Sequence, residues 1–401
     1  MSPRQSLNLP LLSRGMMAVL FAQFLSALAD NAILIAAIAI VKSQGLPNLV
    51  PLLQESFVAP FILLAPFVGQ ISDAFPKGRV MFMGNSLKLA GAVAMLSGIN
   101  PISAYALIGI GAAVYSPAKY GILSQMFAPS SLVRANGMME GSTIVAILMG
   151  VLLGGWLADQ SLDWAFMGVM GAYILALVAN LFIPHLPAEN AAKNGAVSFH
   201  PVRLIKQFVT SLAILFKNPD SRFSLLGTAV FWGSGTTLRL MLFAWVPAAL
   251  LITDNQTPAN LMGAVSIGIV LGAVSAGLWV SLANVNRALI GGLLLGPAVL
   301  ALIFVHDFYF AATVMAVIGL CGGFFVVPLN ALLQERGHET IGAGNALAVQ
   351  NFAENLAMLC FVGGYSFAAS MGVAINTIII GFGLILWVAI SVLAVFRVRR
   401  G

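Results

Sequence analysis

The sequence has 401 residues, of which 60% are hydrophobic and only 8% are charged. Soluble domains carry about 25% charged residues, so this composition excludes a soluble globular protein, and its apolar content excludes a disordered one. Two cysteines, Cys321 and Cys360, are too few for a disulfide-stabilised secreted scaffold. Because the chain shows long apolar runs rather than the alternation of a β-barrel, the predicted fold class is an all-α polytopic membrane protein.

The apolar runs predict twelve transmembrane helices, since each is close to the roughly 20 residues that cross a bilayer. The first run is too long for the apolar part of a signal peptide and contains Asp30 and Asn31, so it is predicted to be the first helix. In chain order the predicted spans are 15–41, 49–72, 80–98, 103–127, 136–158, 163–183, 222–250, 259–282, 287–305, 309–333, 341–368 and 372–396.

One polar stretch divides the spans into two groups of six. The predicted domains are an N-terminal six-helix bundle at 1–183, a cytoplasmic linker at 184–221 and a C-terminal six-helix bundle at 222–401. Fifteen of the 19 basic residues fall on the side that carries both termini, and Lys42 alone falls on the other. The positive-inside rule therefore places both termini in the cytoplasm. The net charge of +6 reports topology and indicates no nucleic-acid partner.

The two halves match at a nearly fixed offset. Asn136 corresponds to Asn345, 209 residues later, and the glycine-rich runs that begin at 109 and 319 also correspond. Each run leads to a proline, Pro117 or Pro328, that is predicted to interrupt its helix. Two pseudo-symmetric halves with glycine- and proline-interrupted spans are typical of secondary transporters.

The same offset relates two charges of opposite sign, Asp30 and Arg239. A charge at the bilayer centre costs about 2.5–3.5 kcal/mol, so such residues are usually functional. Asp30 lies on a polar stripe with Gln23 and Ser26 and adjoins Asn31. We expect Asp30 and Arg239 to pair across a central cavity that binds a charged head group or couples an ion. The alternative is an ion pair that only fixes helix packing.

Four further polar residues lie inside predicted spans. Glu354 shares a helix face with Gln350 and is expected to bind a cationic amine, a proton or Na⁺, or else to serve helix packing. Lys119 and Glu140 are expected to pair as an inner gate, the alternative being a snorkelling lysine and a carboxylate at a helix start. Two other charges, on Lys88 and Glu55, lie nearer span ends and are expected to reach the interface.

The loop between the second and third spans carries a recognisable motif. It contains Gly69, Asp73, Lys77, Gly78 and Arg79, and it resembles the cytoplasmic loop motif of the major facilitator superfamily. Asp73 is expected to cap a helix terminus and to accept hydrogen bonds from basic side chains when the cytoplasmic side is closed. These five residues are therefore the predicted gating residues. The corresponding loop of the second half is degenerate, so any latch there is expected to be asymmetric.

Longer strings are more specific than this loop. They are Phe24–Ala32, Tyr115–Gly121, Val327–Gly337, Gly344–Asn351 and Thr253–Asn255. They resemble the bacterial lysophospholipid transporter family within the major facilitator superfamily, and the likeness covers essentially the whole chain. The resemblance implies transport of lysophosphatidylethanolamine and lysophosphatidylglycerol from the outer to the inner leaflet of the bacterial inner membrane. It also implies that an acyltransferase/acyl-carrier-protein synthetase, expected to be a separate polypeptide, re-acylates them.

The residue chemistry suits such a substrate. The planar guanidinium of Arg239 matches a phosphate, and Asp30 or Glu354 matches an ammonium group. No nucleotide-binding, hydrolytic or metal-binding motif is present in the sequence, so neither an enzyme nor a cofactor is predicted. The expected energy source is a Na⁺ or H⁺ gradient, or the lipid gradient that re-acylation maintains. A proton-coupled exporter of drugs or small amphiphilic metabolites is the alternative, and a membrane scaffold that only docks the acyltransferase is another.

Overall fold

A computed structural model describes residues 10–45, 49–188, 200–252 and 256–398. These residues form fourteen α-helices and no β-strand, which confirms the predicted all-α class. The helices are α1 Arg14–Ser43, α2 Val50–Leu63, α3 Ala65–Ala74, α4 Lys77–Leu96, α5 Pro101–Met126, α6 Pro129–Gln160, α7 Leu162–Leu181, α8 Pro201–Lys217, α9 Pro219–Leu250, α10 Gln256–Trp279, α11 Ala288–Leu300, α12 Phe308–Thr340, α13 Ala343–Ser370 and α14 Ile375–Val398.

Ten spans in the described part of the chain are helical, long and apolar enough to cross a membrane. The predicted second span, 49–72, is a bent pair instead, because α2 and α3 meet at an angle of 63°. Pro60 inside α2 and Pro66 in the first turn of α3 interrupt the hydrogen-bond ladder on either side of this bend. The predicted third span corresponds to the 20-residue α4, which is more polar than the ten.

The predicted interruptions at Pro117 and Pro328 are wrong. Pro117 lies inside the continuous helix α5, and Pro328 lies inside α12. A proline removes one backbone donor, and a transmembrane helix tolerates this where neighbouring groups compensate. Several helices instead begin with proline, as at Pro101 and Pro219, each preceded by an asparagine whose side chain accepts two backbone N–H groups.

The predicted linker at 184–221 contains a helix that the sequence analysis did not assign. This helix, α8, buries Leu204 and Leu215. It leaves other apolar side chains exposed, namely Val202, Ile205, Val209 and Ile214. It is therefore amphipathic. Residues 189–199 of the predicted linker and the string Thr253–Asn255 lie outside the described residues.

The helices form two compact units. Unit 1 comprises 1–128, 142–215 and 334–352, and unit 2 comprises 129–141, 216–333 and 353–401. The core of unit 1 packs small and aromatic side chains of α1, α4, α5 and α7 around the fully buried Tyr173. The core of unit 2 surrounds Trp245, whose side chain is 1% exposed. The predicted boundaries of the two six-helix bundles stay a prediction.

A pair of equivalent glycine contacts reproduces the internal repeat inside each unit. In unit 1, a Cβ on Gly109 would lie 2.6 Å from the carbonyl oxygen of Phe57 on α2. In unit 2, a Cβ on Gly319 would overlap the carbonyl of Val265 on α10. Val265 follows Phe57 by 208 residues and Gly319 follows Gly109 by 210. The glycine-rich runs therefore serve close helix packing in both units.

Candidate functional site

The interior of unit 1 holds an ion pair between α1 and α4. Lys88 Nζ lies 2.7 Å from Asp30 Oδ2, and the side chain of Lys88 is 2% exposed while that of Asp30 is 17% exposed. The hydroxyl of Tyr173 on α7 donates to Asp30 Oδ1 at 2.8 Å. The carboxylate thus has a cation on one oxygen, a neutral donor on the other, and partial access from outside.

Further hydrogen bonds extend this pair along α1. Lys88 Nζ also donates to Ser26 Oγ at 2.9 Å, and Ser26 Oγ donates to Asn85 Oδ1 at 2.7 Å. Ser26 and Asp30 are four residues apart, so they share one face of the helix. Gln23, on the same stripe, donates to Thr143 at 3.1 Å. All three polar residues of the stripe therefore have side-chain partners: Ser26 and Asp30 share Lys88, and Gln23 bonds separately to Thr143.

Close packing of α4 against α5 positions Lys88. A Cβ on Gly111 would lie 2.8 Å from Lys88 Cγ, and a Cβ on Gly84 would lie 2.8 Å from both Tyr115 Cβ and the Gly111 oxygen. With no side chain at either glycine, Lys88 Nζ reaches 4.7 Å from the centroid of the Tyr115 ring. A cation over an aromatic face is stabilised by the ring quadrupole, so the lysine is held by an aromatic wall as well as by Asp30.

Two predictions about this network are wrong. The ion-pair partner of Asp30 is Lys88 rather than Arg239, because α4 packs in the same bundle and brings a cation to the polar face of α1. Lys88 was expected to reach the interface, yet its ammonium group points into the helix bundle. Arg239 on α9 is exposed and makes no hydrogen bond or ion pair with any residue that the structure describes.

The other predicted binding residues are mostly buried. In unit 2, Glu140 is 3% exposed and accepts a hydrogen bond from Asn330 Nδ2 at 3.1 Å, and Glu354 is 7% exposed. In unit 1, Gln350 is buried, and the ammonium of Lys119 lies 4.1 Å from the centroid of the adjacent Tyr120 ring.

Asn31 serves its own helix. Its side chain donates to the carbonyl of Ala27 at 2.8 Å, four residues earlier in α1. Its Cβ also lies close to the point where a Cβ on Gly150 would be built, at 3.0 Å. These contacts place Asn31 at a tight approach of α6 to α1, beside the Asp30 carboxylate but directed at backbone.

Asp73 forms a second charged cluster, at the start of α13. Its Oδ1 accepts from the backbone N–H of Gly344 at 2.8 Å, and its Oδ2 accepts from the backbone and side-chain nitrogens of Asn345 at 3.0 and 2.7 Å. Lys77 Nζ lies 2.6 Å from Oδ1, and both side chains are fully buried. A carboxylate at a helix N-terminus satisfies free N–H groups and complements the helix dipole.

Two glycines make room for this cap. A Cβ on Gly344 would lie 2.5 Å from Asp73 Oδ1, and a Cβ on Gly69 would lie 2.9 Å from the Cα of Asn345. The other predicted gating residues lie away from the carboxylate. A Cβ on Gly78 would contact Ile183 at 3.2 Å, and Arg79 lies 3.4 Å from the ring of His185.

The second half contains a weaker contact of opposite polarity. Arg134 on α6 is exposed, and its Nε donates to the carbonyl of Gly277 near the end of α10 at 3.1 Å. Arg287 donates to the carbonyl of Trp279 at 3.2 Å. A cation at a helix C-terminus is favourable for the same reason that an anion is favourable at an N-terminus. Backbone N–H groups donate to Asp73, whereas arginine side chains donate to backbone carbonyls here. The predicted asymmetry of a latch stays a prediction.

The described residues contain no group of three or more His, Cys, Asp or Glu side chains that could hold a metal ion. The chemistry available to this arrangement is ion pairing and hydrogen bonding in a low-dielectric interior, where each charge needs a partner. Apolar helices around buried charges define a multi-pass helical membrane protein.

Comparison with known families agrees with this class. The sequence model described as Major Facilitator Superfamily matches residues 19–362. The chain belongs to the major facilitator superfamily. It is 49% identical over 401 residues to the lysophospholipid transporter LplT of Escherichia coli O1:K1 / APEC, with 100% of both chains covered. The identity and coverage are the same for the protein of that name from Shigella boydii serotype 4 (strain Sb227).

Solved structures with low sequence identity share the fold. The Escherichia coli fucose:proton symporter matches with a TM-score of 0.72 at 14% identity, covering 95% of this chain and 98% of that chain. The human organic anion transporter MFSD10 (TETRAN) matches with a TM-score of 0.72 at 15% identity, covering 94% and 99%. These matches confirm the predicted major facilitator fold.

Proposed function

We propose that this chain moves lysophosphatidylethanolamine and lysophosphatidylglycerol from the outer to the inner leaflet of the bacterial inner membrane. The observation that carries the proposal is 49% identity over the full chain to relatives named lysophospholipid transporter. This full-length likeness favours lysophospholipids over the drugs and small metabolites of the alternative exporter. The basic residues favour cytoplasmic termini, and a separate acyltransferase/acyl-carrier-protein synthetase would consume the product on that side.

The Asp30–Lys88 pair suits a zwitterionic head group. Among the described residues, its two charges are compensated by each other alone, since the other hydrogen-bond partners, Tyr173 and Ser26, are neutral. An ethanolamine ammonium would replace Lys88 on Asp30, while the freed Lys88 would pair with the substrate phosphate. An unpaired charge is costly in a low-dielectric interior. In this exchange every buried charge keeps a partner. Lysophosphatidylglycerol lacks the ammonium, so it would depend on Lys88 more than on Asp30.

The remaining predicted residues keep their proposed roles. Arg239 is proposed to bind phosphate. Its guanidinium is exposed and has no partner among the residues that the structure describes, which supports this role. Glu354 and Gln350 are proposed to bind an amine or a coupling ion. Lys119 and Glu140 are proposed as an inner gate. Substrate movement is driven by a Na⁺ or H⁺ gradient or by the lipid gradient that re-acylation maintains.

Asp73 is proposed to hold the cytoplasmic latch. Its three hydrogen bonds to Gly344 and Asn345 join the end of α3 to the start of α13. Breaking the cap frees two backbone N–H groups, so opening carries a defined cost that water must offset. Lys77 and Gly69 support the cap directly, while Gly78 and Arg79 would orient the first turn of α4.

The test is leaflet-resolved transport in proteoliposomes. Labelled lysophospholipid is added to the outer leaflet, and the fraction that resists extraction by albumin is followed, with and without Na⁺ and proton gradients. We expect Asp30→Asn to slow the ethanolamine lipid at least tenfold and the glycerol lipid less. Glu55→Gln, which removes an exposed carboxylate of α2, is the matched control. Wild-type rates equal to those of protein-free liposomes would refute the function, and equal rates for the two variants would refute the role of Asp30.

A further inference from the structure

A groove of about 560 Å³ opens between α8, the middle of α3 and the junction of α12 with α13. The helix α8 contributes Arg203, Lys206, Gln207, Thr210 and Ser211, and the other walls contribute Gln70, Thr340, Ile341 and Asn345. All of these residues belong to unit 1. Its described lining contains no acidic side chain, so the two cations give this lining a net positive charge.

The two basic side chains do not stabilise the fold through ion pairs with described residues. Those of Arg203 and Lys206 are exposed and form no ion pair with the residues that the structure describes. The helix is nevertheless anchored. Gln70 donates to Gln207 at 3.3 Å, and the rings of Phe208 and Phe352 pack edge to face at 5.5 Å. The cations are therefore held at the groove by a docked helix rather than by a loose linker.

The faces of α8 indicate what lies around it. Helical periodicity places Val202, Ile205 and Val209 on one exposed apolar stripe, and Arg203 and Lys206 on the adjoining polar face. Basic amphipathic helices of this kind lie in the membrane interface, with the apolar stripe among acyl chains and the cations at head-group level. In that position the groove opens towards lipid phosphates.

We propose that this groove binds the head group of an anionic phospholipid, such as phosphatidylglycerol, from the leaflet next to α8. Arg203 and Lys206 pair with the phosphate, and the amide and hydroxyl groups of the groove accept and donate hydrogen bonds to the glycerol. Asn345 lines the groove and also donates to Asp73, so the bound lipid lies against the latch. This inference rests on the proposed function in one respect: the proposed cytoplasmic position of the termini decides which leaflet supplies the lipid.

Binding is measured without transport, so that failure of one proposal leaves the other standing. Purified protein in mild detergent is titrated with phosphatidylglycerol, and bound lipid is counted by native mass spectrometry and followed by thermal stabilisation. Phosphatidylcholine with the same acyl chains is the lipid control. We expect Arg203→Gln and Lys206→Gln each to weaken binding about fivefold, the effect of one basic side chain at an anionic surface. Lys217→Gln, which removes an exposed cation of α8 outside the groove, is expected to retain wild-type binding.

Three results would overturn the proposal. The first is equal phosphatidylglycerol binding by wild type and by the Arg203→Gln variant. The second is equal stabilisation by phosphatidylcholine, or by inorganic phosphate alone, because the groove would then not select an anionic lipid. The third is that the Arg203→Gln and Lys206→Gln variants bind lipid like the wild type but no longer bind the purified acyltransferase. That result would assign the groove to a protein partner.

Discussion

Removing Lys88 alone should destabilise unit 1, and removing its partner as well should recover much of the loss. In Lys88→Met the carboxylate of Asp30 keeps one donor, the hydroxyl of Tyr173. Breaking a buried ion pair from one side costs about 3–5 kcal/mol. Asp30 is 17% exposed, so partial hydration puts the expected loss at the lower end, about 3 kcal/mol.

The double variant Asp30→Asn/Lys88→Met carries no charge at this position. Its loss should therefore be smaller than the sum of the two single losses, by a coupling energy of about 2–3 kcal/mol. The assay is equilibrium unfolding in mixed micelles, followed by tryptophan fluorescence, for the wild type, both single variants and the double variant. Transport of lysophosphatidylethanolamine by the double variant should stay at least tenfold slower than in the wild type, because the substrate ammonium has no carboxylate to bind.

A matched cycle keeps this result interpretable. This second double-mutant cycle combines Lys88→Met with Glu55→Gln. Glu55 is an exposed carboxylate on α2 that forms no ion pair with a described residue. Those two losses should add to within about 0.5 kcal/mol. Additivity in the Asp30 cycle as well would show that the 2.7 Å contact contributes nothing specific, and the head-group exchange built on it would fail.

Three further predictions concern the latch and Arg239. Asp73→Ala should slow turnover about tenfold, because capping hydrogen bonds are worth about 1–2 kcal/mol. Substrate affinity, measured by equilibrium binding, should stay within about twofold. Unchanged turnover would make this loop a topological element only. Arg134→Gln, which removes one exposed hydrogen bond to Gly277, should change turnover less than twofold in the same assay. Arg239→Lys should retain part of the transport that Arg239→Gln loses, because a lysine keeps the charge without the bidentate fork. Equal transport rates for both variants would exclude phosphate binding by this side chain.

The sequence predicted the helical class, most of the spans and the polar stripe of α1, because each follows from local composition and periodicity. It could not predict the partner of Asp30. The repeat offset pointed to Arg239, whereas the choice of Lys88 depends on the close approach of α4 to α5 at Gly84 and Gly111. Tyr173 carried no signal, since a tyrosine in an apolar run is indistinguishable from core.

The helix inside the predicted linker and the unbroken helices at the prolines have related explanations. The charge content of 184–221 predicts a polar stretch, whereas helical phase places Val202, Ile205 and Val209 on one stripe of α8. The proline rule predicts interruptions at Pro117 and Pro328, but the surrounding helix continues through both. In both cases periodicity over several turns was the better guide.

The contacts of Asp73 with α13 and of Arg134 with α10 show that equivalent positions of the repeat differ in chemistry. Arg134, the sixth residue of α6, corresponds at the offset of 209 to residue 343, the first residue of α13. The start of α13 presents backbone N–H groups to the fully buried Asp73, whereas α6 directs an exposed arginine at a backbone carbonyl. Charge-assisted hydrogen bonds in a buried site are stronger than exposed ones. If both contacts act as latches, the one at Asp73 would dominate, and the proposed lipid groove beside Asn345 would lie against it.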